Sequence, residues 1–194
     1  TFFDFIKRVI APQIPELSYV DIGGGIGVQE RPEDKPFDYK VFGEGLTQKI
    51  LRLNKELECE LELAIEPGRS LLSDTAIFLT KVTDVKYRTG KKIIGTNSSA
   101  AIFPRPLMYE DSYHHVDVLG RDQESNGILS DVCGKTTYSR DYLAKNRSLP
   151  AVERGDILVF HNAGSYCYGM ITDFLGILKP AEVLVRWWGK NPAA

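Results

Sequence analysis

Two turns, each directly after a strand-like run, constrain the fold of this 194-residue chain more than any other feature. Residues 17–22 lead into a glycine-rich turn at 23–27 (GGGIG), and residues 61–65 lead into a turn at 66–70 (EPGRS). Between them, apolar residues recur at helical spacing and predict an amphipathic helix over 44–58: Leu46, Ile50, Leu53 and Leu57. This order is typical of a parallel α/β barrel, in which successive strand ends lie side by side.

The residues of these two turns predict a site for a phosphorylated ligand. Gly23, Gly24 and Gly25 can present bare backbone N–H groups to a phosphate, and Arg69 adds a guanidinium. The carboxylate of Glu66 then needs a positive partner on the same ligand. A phosphorylated ring with a protonated nitrogen meets that need, and we therefore expect pyridoxal 5'-phosphate as the cofactor.

Each turn taken alone has a plainer interpretation. The triple glycine is compatible with a simple tight turn between a strand and a helix, and the EPGR segment with a surface loop that carries a solvated arginine. A dinucleotide fingerprint that starts at Gly23 would require glycine at position 28, where the chain has Val28. The occurrence of both turns on consecutive strand ends favours the phosphate site.

The pattern of the chain changes near residue 72. Residues 1–72, including an amphipathic helix predicted over 1–10, supply about two of the eight units of a barrel. Residues 73–194 carry only strand-like runs, predicted at 75–87, 93–94, 113–119, 127–133, 156–160, 166–170 and 181–188. We therefore expect an α/β plus all-β protein, in which the C-terminal remnant of a barrel precedes a β-sandwich or β-barrel domain.

Composition excludes several classes of function. The formal net charge is −2 and the basic residues are dispersed, so no nucleic-acid or anionic-membrane surface is expected. No apolar run approaches the length of a membrane span. The three cysteines, Cys59, Cys133 and Cys167, fit neither a disulfide framework nor a CxxC metal spacing. A reducing, cytoplasmic setting is expected, with no metal site.

Later segments extend the pattern and give it a family resemblance. They are RPLMY at 105–109 with YHH at 113–115, DVC at 131–133, GDILV at 155–159 with GSY at 164–166, and KPAEVLV at 179–185. Together with the two turns, and in this order, they resemble the fold-type III pyridoxal-phosphate-dependent decarboxylases, the group of diaminopimelate, ornithine and arginine decarboxylases. The resemblance is closest to the diaminopimelate branch.

This resemblance implies a role for each matching position. The cofactor-binding residues would be Gly23, Gly24, Gly25, Glu66, Gly68, Arg69 and Tyr166. Glu66 would keep the pyridine nitrogen protonated, and Cys133 would return a proton to the substrate in the active site of a neighbouring subunit, which implies a homodimer with shared sites. Arg105 and Tyr109 would grip the far end of an amino-acid substrate. Without the resemblance, Cys133 would be read as a buried apolar cysteine, and a structural ion pair is the alternative for Arg105.

Two departures from the family pattern bear on function. The family's Schiff-base lysine and ring-stacking histidine belong to a barrel region with no counterpart here, so we expect the C-terminal part of a larger enzyme that is inactive without its N-terminal barrel half. Family members also usually place an acidic residue after the cysteine, where this chain has Gly134 followed by a segment with two extra cations, Lys135 and Arg140. The expected substrate is accordingly a basic or dicarboxylic amino acid, not diaminopimelate in particular.

Two other functions are compatible with the same fold. A non-catalytic homologue could use it to bind and regulate a partner, but the joint retention of Glu66, Arg69, Cys133 and Tyr166 disfavours this alternative. An alanine-type racemase shares the barrel, but the order of segments and the Cys133 and GSY motifs favour a decarboxylase, a carboxy-lyase of amino-acid metabolism.

Overall fold

A computed structural model describes residues 2–88, 90–121 and 127–186 of the chain. Its first part is an α/β unit with a two-stranded parallel sheet, in which Tyr19 lies opposite Glu62. The elements are helix α1 (Phe2–Phe5), which continues as a π-helical turn (Ile6–Ile10), strand β1 (Tyr19–Asp21), helix α2 (Tyr39–Leu57) and strand β2 (Glu62–Ala64). The predicted strand, helix and strand are thus all present.

Helix α2 begins five residues earlier than its apolar spacing predicted. Asp38 caps its start, since the Asp38 carboxylate accepts a hydrogen bond of 2.9 Å from the N–H of Val41. Glu58 ends the helix in a left-handed conformation, with φ of 54°. The apolar spacing used for the prediction began at Leu46, so it marked the buried face around Ile50 and Leu53 and did not include the first turn, Tyr39 to Phe42.

The first part ends with the one-turn helix α3 (Arg69–Leu72), and the second part is built on a six-stranded mixed sheet. In chain order the strands are β3 (Phe78–Arg88), β4 (Lys91–Thr96), β5 (Val116–Val118), β6 (Ile128–Cys133), β7 (Tyr142–Leu149) and β8 (Ile157–Phe160), with the one-turn helix α4 (Arg105–Met108) after β4. Their spatial order is β5-β8-β3-β4-β6-β7, and only the β4–β6 pair is parallel.

Two of the strand predictions need correction, and one strand was missed. Strand β7 was not predicted, because its middle is polar (AKNRS) and Asn146 adopts a left-handed conformation that interrupts the pairing. The strand predicted at 166–170 is wrong, since Tyr168–Met170 form a 3-10 turn. At 181–188, residues 181–186 form no regular element, while Trp187 and Trp188 lie outside the described residues.

Two hydrophobic clusters lie on either side of α3 in the chain. The first packs Ile6 and Val20 against Ile50, Leu53 and Leu61. The second forms the core of the part that contains the six-stranded sheet, and its most buried members are Ile94, Val132, Leu158 and Phe160. The first cluster draws only on residues before α3 and the second only on residues after it; the division into residues 1–72 and 73–194 stays a prediction. Among the described residues, no helix has the length and apolar character needed to cross a membrane.

Candidate functional site

The two turns singled out in the sequence lie against each other. The parallel pairing of β1 with β2 brings their ends together, and the backbone N–H of Glu66 donates to the carbonyl of Gly23 at 2.8 Å. A Cβ atom at Gly24 would lie closer than 3.0 Å to the carbonyl oxygen of Glu66. Only glycine therefore fits at position 24, and the close approach of the turns depends on it.

A cavity of about 360 Å³ opens beside this contact. It is lined by Gly24, Gly25, Ile26, Glu66, Gly68, Arg69 and Tyr166. Tyr166 comes from the second part of the chain, and its hydroxyl lies 2.9 Å from the position that a Cβ at Gly68 would take. Tyr166 also has φ of 55°, an uncommon conformation for a bulky residue, and such conformations cluster at functional sites.

The groups that line this cavity fit a phosphorylated ring with a protonated nitrogen. The N–H groups of Gly24 and Gly25 make no hydrogen bond within the described residues, and neither does the carboxylate of Glu66, which also has no ion pair there. Open N–H donors, a guanidinium and an unpaired carboxylate are the complement of a phosphate and a pyridinium. Gly23 differs, because its N–H already donates to the Asp21 side chain at 2.7 Å and it does not line the cavity.

Glu30 joins two of the predicted site residues and was missed by the sequence analysis. One of its oxygens, Oε1, accepts hydrogen bonds from Nη1 of Arg69 and, at 2.7 Å, from Nη2 of Arg105. Burial alone raises the pKa of this carboxyl, but the charge of Arg105 and the hydrogen bond and charge of Arg69 outweigh it and hold the pKa below its usual value. The only sequence signal was its place in the long polar loop after the glycine turn.

Arg105 is 7% exposed and is held from its other side by His114. Its Nη1 donates to Nε2 of His114 at 3.1 Å, and Nδ1 of His114 contacts the carbonyl of His161 at 2.8 Å. Burial lowers the pKa of His114 to about 4, and the charge of Arg105 acts in the same direction. His114 is therefore a neutral imidazole with Nδ1–H as donor, and it packs against the site without being a ligand.

A second cavity, of about 370 Å³, adjoins the first and shares Arg69 and Tyr166 with it. Its other lining residues are Glu30, Arg105, Tyr109, Asp111 and Ser112. The residues predicted to bind substrate, Arg105 and Tyr109, thus lie next to those predicted to bind the cofactor. The ion pair with Glu30 also matches the alternative interpretation of Arg105 as part of a structural ion pair.

Cys133 is not brought to either cavity within this chain. It ends strand β6, between Gly95 of β4 and Tyr142 of β7, and is partly exposed. Burial raises the pKa of its thiol to about 11, and the nearby carboxylates of Asp131 and Asp141 act in the same direction. The thiol is therefore protonated at neutral pH.

The structure explains why glycine follows this cysteine. A Cβ atom at Gly134 would lie closer than 3.0 Å to the carboxylate of Asp141. That carboxylate is buried and hydrogen-bonded through both oxygens, because Oδ1 accepts from the N–H of Ala100 at 2.6 Å and Oδ2 accepts from the N–H of Thr136 at 2.9 Å. Any side chain at position 134, including an acidic one, would displace Asp141.

Comparison with known proteins identifies the class to which this fold and this site belong. Residues 18–164 match the family described as pyridoxal-dependent decarboxylase, C-terminal sheet domain. The match covers most of the chain, and the chain belongs to this family. Both the fold class and the cofactor expected from the sequence, pyridoxal 5'-phosphate, are therefore those of its family.

The named relatives are more specific. Diaminopimelate decarboxylase of Methanothermobacter thermautotrophicus is 35% identical over 191 residues, which is 96% of this chain and 43% of the relative. Diaminopimelate decarboxylase from Helicobacter pylori, solved with L-lysine, is 25% identical with a TM-score of 0.72, over 90% of this chain and 41% of that one. The enzyme from M. jannaschii, 24% identical over 92% of this chain and 42% of that one, shares the fold with a TM-score of 0.79. The chain thus spans less than half the length of these relatives.

Proposed function

We propose that this chain is the C-terminal part of a pyridoxal-phosphate-dependent amino-acid decarboxylase. One observation carries the proposal: a single cavity is lined by the Arg69 guanidinium together with the N–H groups of Gly24 and Gly25 and the Glu66 carboxylate, which have no partner among the residues that the structure describes. Pyridoxal 5'-phosphate, when bound, supplies the electron sink through which an amino acid loses its α-carboxylate as CO2.

The residues of this chain would hold the cofactor at its two ends. The N–H groups of the glycine turn, the guanidinium of Arg69 and the hydroxyl of Tyr166 bind the phosphate, and the backbone at Gly68 lets the Tyr166 ring approach. At the other end, Glu66 accepts a hydrogen bond from the ring nitrogen and keeps its proton in place. The Glu66 carboxylate is free for this role, since it has no partner within the described residues.

Cys133 would act as a proton donor, from a second copy of the chain. Its raised pKa, about 11, keeps the thiol protonated, so it can give its proton to the substrate α-carbon after CO2 has left. Because Cys133 lines neither cavity of its own chain, this role requires a homodimer with shared active sites.

The substrate proposed is an amino acid with a basic or dicarboxylic side chain, bound at its far end by Arg105 and Tyr109. The relatives are named diaminopimelate decarboxylases, and the Helicobacter pylori enzyme was solved with L-lysine. L-lysine is what remains when diaminopimelate loses one α-carboxylate. The Asp141 carboxylate is buried and bound to backbone N–H groups of its own chain, so it is poorly placed to bind a distal amine. This supports a substrate whose far end carries an anionic group that binds Arg105.

The test uses the chain together with an N-terminal barrel half that carries the Schiff-base lysine, called the assembled enzyme below. We expect it to release CO2 from one of diaminopimelate, ornithine, lysine or arginine, and the chain alone to release none. Glu66→Gln should lower this rate much more than it lowers cofactor retention, because only the carboxylate stabilises the ring proton.

The matched control is Glu60→Gln, which removes an exposed carboxylate six residues earlier in the chain. It should leave both the rate and the cofactor content unchanged. An assembled enzyme that binds pyridoxal 5'-phosphate but turns over equally well with and without the Glu66 carboxylate would refute the proposed role of Glu66.

A further inference from the structure

Three donors converge on the carboxylate of Glu30. Nη1 of Arg69 and Nη2 of Arg105 share its oxygen Oε1, and the backbone N–H of Tyr113 faces Oε2 at 3.4 Å. The Glu30 side chain is 17% exposed and the Arg105 side chain 9%. The two guanidiniums with this N–H thus form an anion-binding arrangement that is filled by a carboxylate of the protein itself.

The segment that carries Glu30 is fixed on both sides. The carbonyl of Gln29 accepts a hydrogen bond from the Asn162 side chain at 3.1 Å. On the other side, the guanidinium of Arg31 stacks on the ring of Tyr113 at 4.3 Å. Glu30 is therefore held against the two arginines by its neighbours as well as by its own ion pairs, and leaving them would strand a poorly solvated charge.

The charges around the second cavity are balanced because of Glu30. Arg69 and Arg105 contribute two positive charges, and Glu30 and Asp111 contribute two negative ones. Asp111 makes no ion pair within the described part of the chain, so Glu30 is the only one of these two carboxylates that contacts the arginines. Arg69 also lines the first cavity, where the phosphate of the cofactor is proposed to lie. The charge on Glu30 thus acts on the anion-binding groups of both cavities.

We propose that Glu30 is a built-in counter-anion and a specificity-determining residue, which limits the affinity of Arg69 and Arg105 for anionic ligand groups. The inference rests on the proposed function, since it takes Arg69 as a phosphate ligand. Glu30 acts through the two arginines without touching the reacting atoms. At Arg69, Glu30 lowers the affinity for the phosphate of the cofactor. At Arg105, Glu30 disfavours the binding of any anionic substrate group that cannot bind the guanidinium while Glu30 is also bound to it.

The test is the binding of inorganic phosphate and of pyridoxal 5'-phosphate to the assembled enzyme after removal of its cofactor. Glu30→Gln keeps the shape and one acceptor oxygen but removes the charge. Because the lost charge lies within a few ångströms of both arginines, dissociation constants for both ligands should fall roughly tenfold. Glu33→Gln is the matched control, since Glu33 is exposed in the same loop and has no ion pair within the described residues, and it should leave both constants unchanged.

The direction of the change separates this role from a purely structural one. Loss of a structural contact would weaken binding, whereas loss of a counter-anion strengthens it. In the double variant Glu30→Gln/Arg105→Gln, the added positive charge is removed again, and affinity should return close to that of the wild type. Arg105→Gln alone should weaken phosphate binding, because the negative charge of Glu30 is then no longer shared between two guanidiniums and acts on Arg69 alone. This variant provides the measurement if Glu30→Gln does not fold.

The outcomes for the two proposals differ. Wild-type binding of pyridoxal 5'-phosphate together with unchanged or weaker binding in a folded Glu30→Gln variant overturns the counter-anion role alone. An unchanged phosphate affinity in Arg105→Gln overturns it as well. Failure of both the wild type and Glu30→Gln to bind pyridoxal 5'-phosphate or phosphate overturns the proposed function and this inference together.

Discussion

Replacing Gly24 with alanine should separate the two turns that form the proposed cofactor cavity. The added Cβ would lie closer than 3.0 Å to the carbonyl oxygen of Glu66 and 3.5 Å from its carbonyl carbon. The added Cβ would contact backbone atoms of Glu66 and not a flexible side chain, so one of the two turns would have to move. Gly24 has no positive φ, so the expected effect comes from this contact and not from backbone strain.

The size of the effect follows from the shift that the contact requires. Ordinary contacts of a Cβ atom begin at 3.4 Å, so the turns must move apart by several tenths of an ångström to about 1 Å. Overpacking of this kind costs about 1–3 kcal/mol of folding free energy. The Glu66 carboxylate moves with its backbone, and a misplacement of about 1 Å in a catalytic group can cost on the order of 100-fold in rate.

The assay compares cofactor affinity and decarboxylation rate of the assembled enzyme with those of Gly24→Ala. Both should fall, the rate by on the order of 100-fold. Gly43→Ala is the matched control: Gly43 lies in helix α2 with open space around its built Cβ, so it should stabilise the fold by about 0.5–1 kcal/mol and leave activity intact. If Gly24→Ala binds cofactor and turns over like the wild type, the tight approach of the turns does not build the site.

Two further predictions concern stability. His114 is neutral in the folded protein, with a pKa of about 4, but takes up a proton near pH 6.5 when the chain is unfolded. Lowering the pH from about 6.5 to 4 should therefore reduce the free energy of unfolding by up to about 3 kcal/mol. Urea denaturation of the assembled enzyme measures this loss, and the loss should be smaller in His114→Asn. The 194-residue chain alone should associate or aggregate, because the two-stranded sheet has open edges and its surroundings expose Tyr19, Val41 and Leu51 by more than half. Size-exclusion chromatography tests this, and a monomer with a cooperative melt would contradict it.

Several parts of the site could be predicted from short sequence segments. The strands before each turn, the glycines that leave the backbone open, and Glu66 and Arg69 are all local features, and β1 and β2 lie where the apolar runs placed them. Local chemistry suffices here because a parallel α/β unit brings consecutive strand ends to the same edge. The order of the two turns along the chain therefore already implied that they are neighbours in space.

Strand β7 could not be found in this way, because its polar residues are satisfied by contacts with distant segments. The carboxylate of Asp131 accepts from the N–H of Asn146 at 2.7 Å, and Lys91 bridges both side chains. A strand stabilised by such contacts has neither the alternation nor the apolar run that marks a strand in a sequence.

By itself the sequence determined the class of fold, the two turns and the kind of cofactor that their residues can hold. Only the tertiary structure decided that Glu30 lies between Arg69 and Arg105, which are 39 and 75 residues away along the chain. It also decided that Tyr166 reaches the Gly68 backbone. The physical reason is that periodicity and turn chemistry report each residue's local backbone, whereas an ion pair between distant segments depends on how the six-stranded sheet and its loops pack against the two turns of the α/β unit.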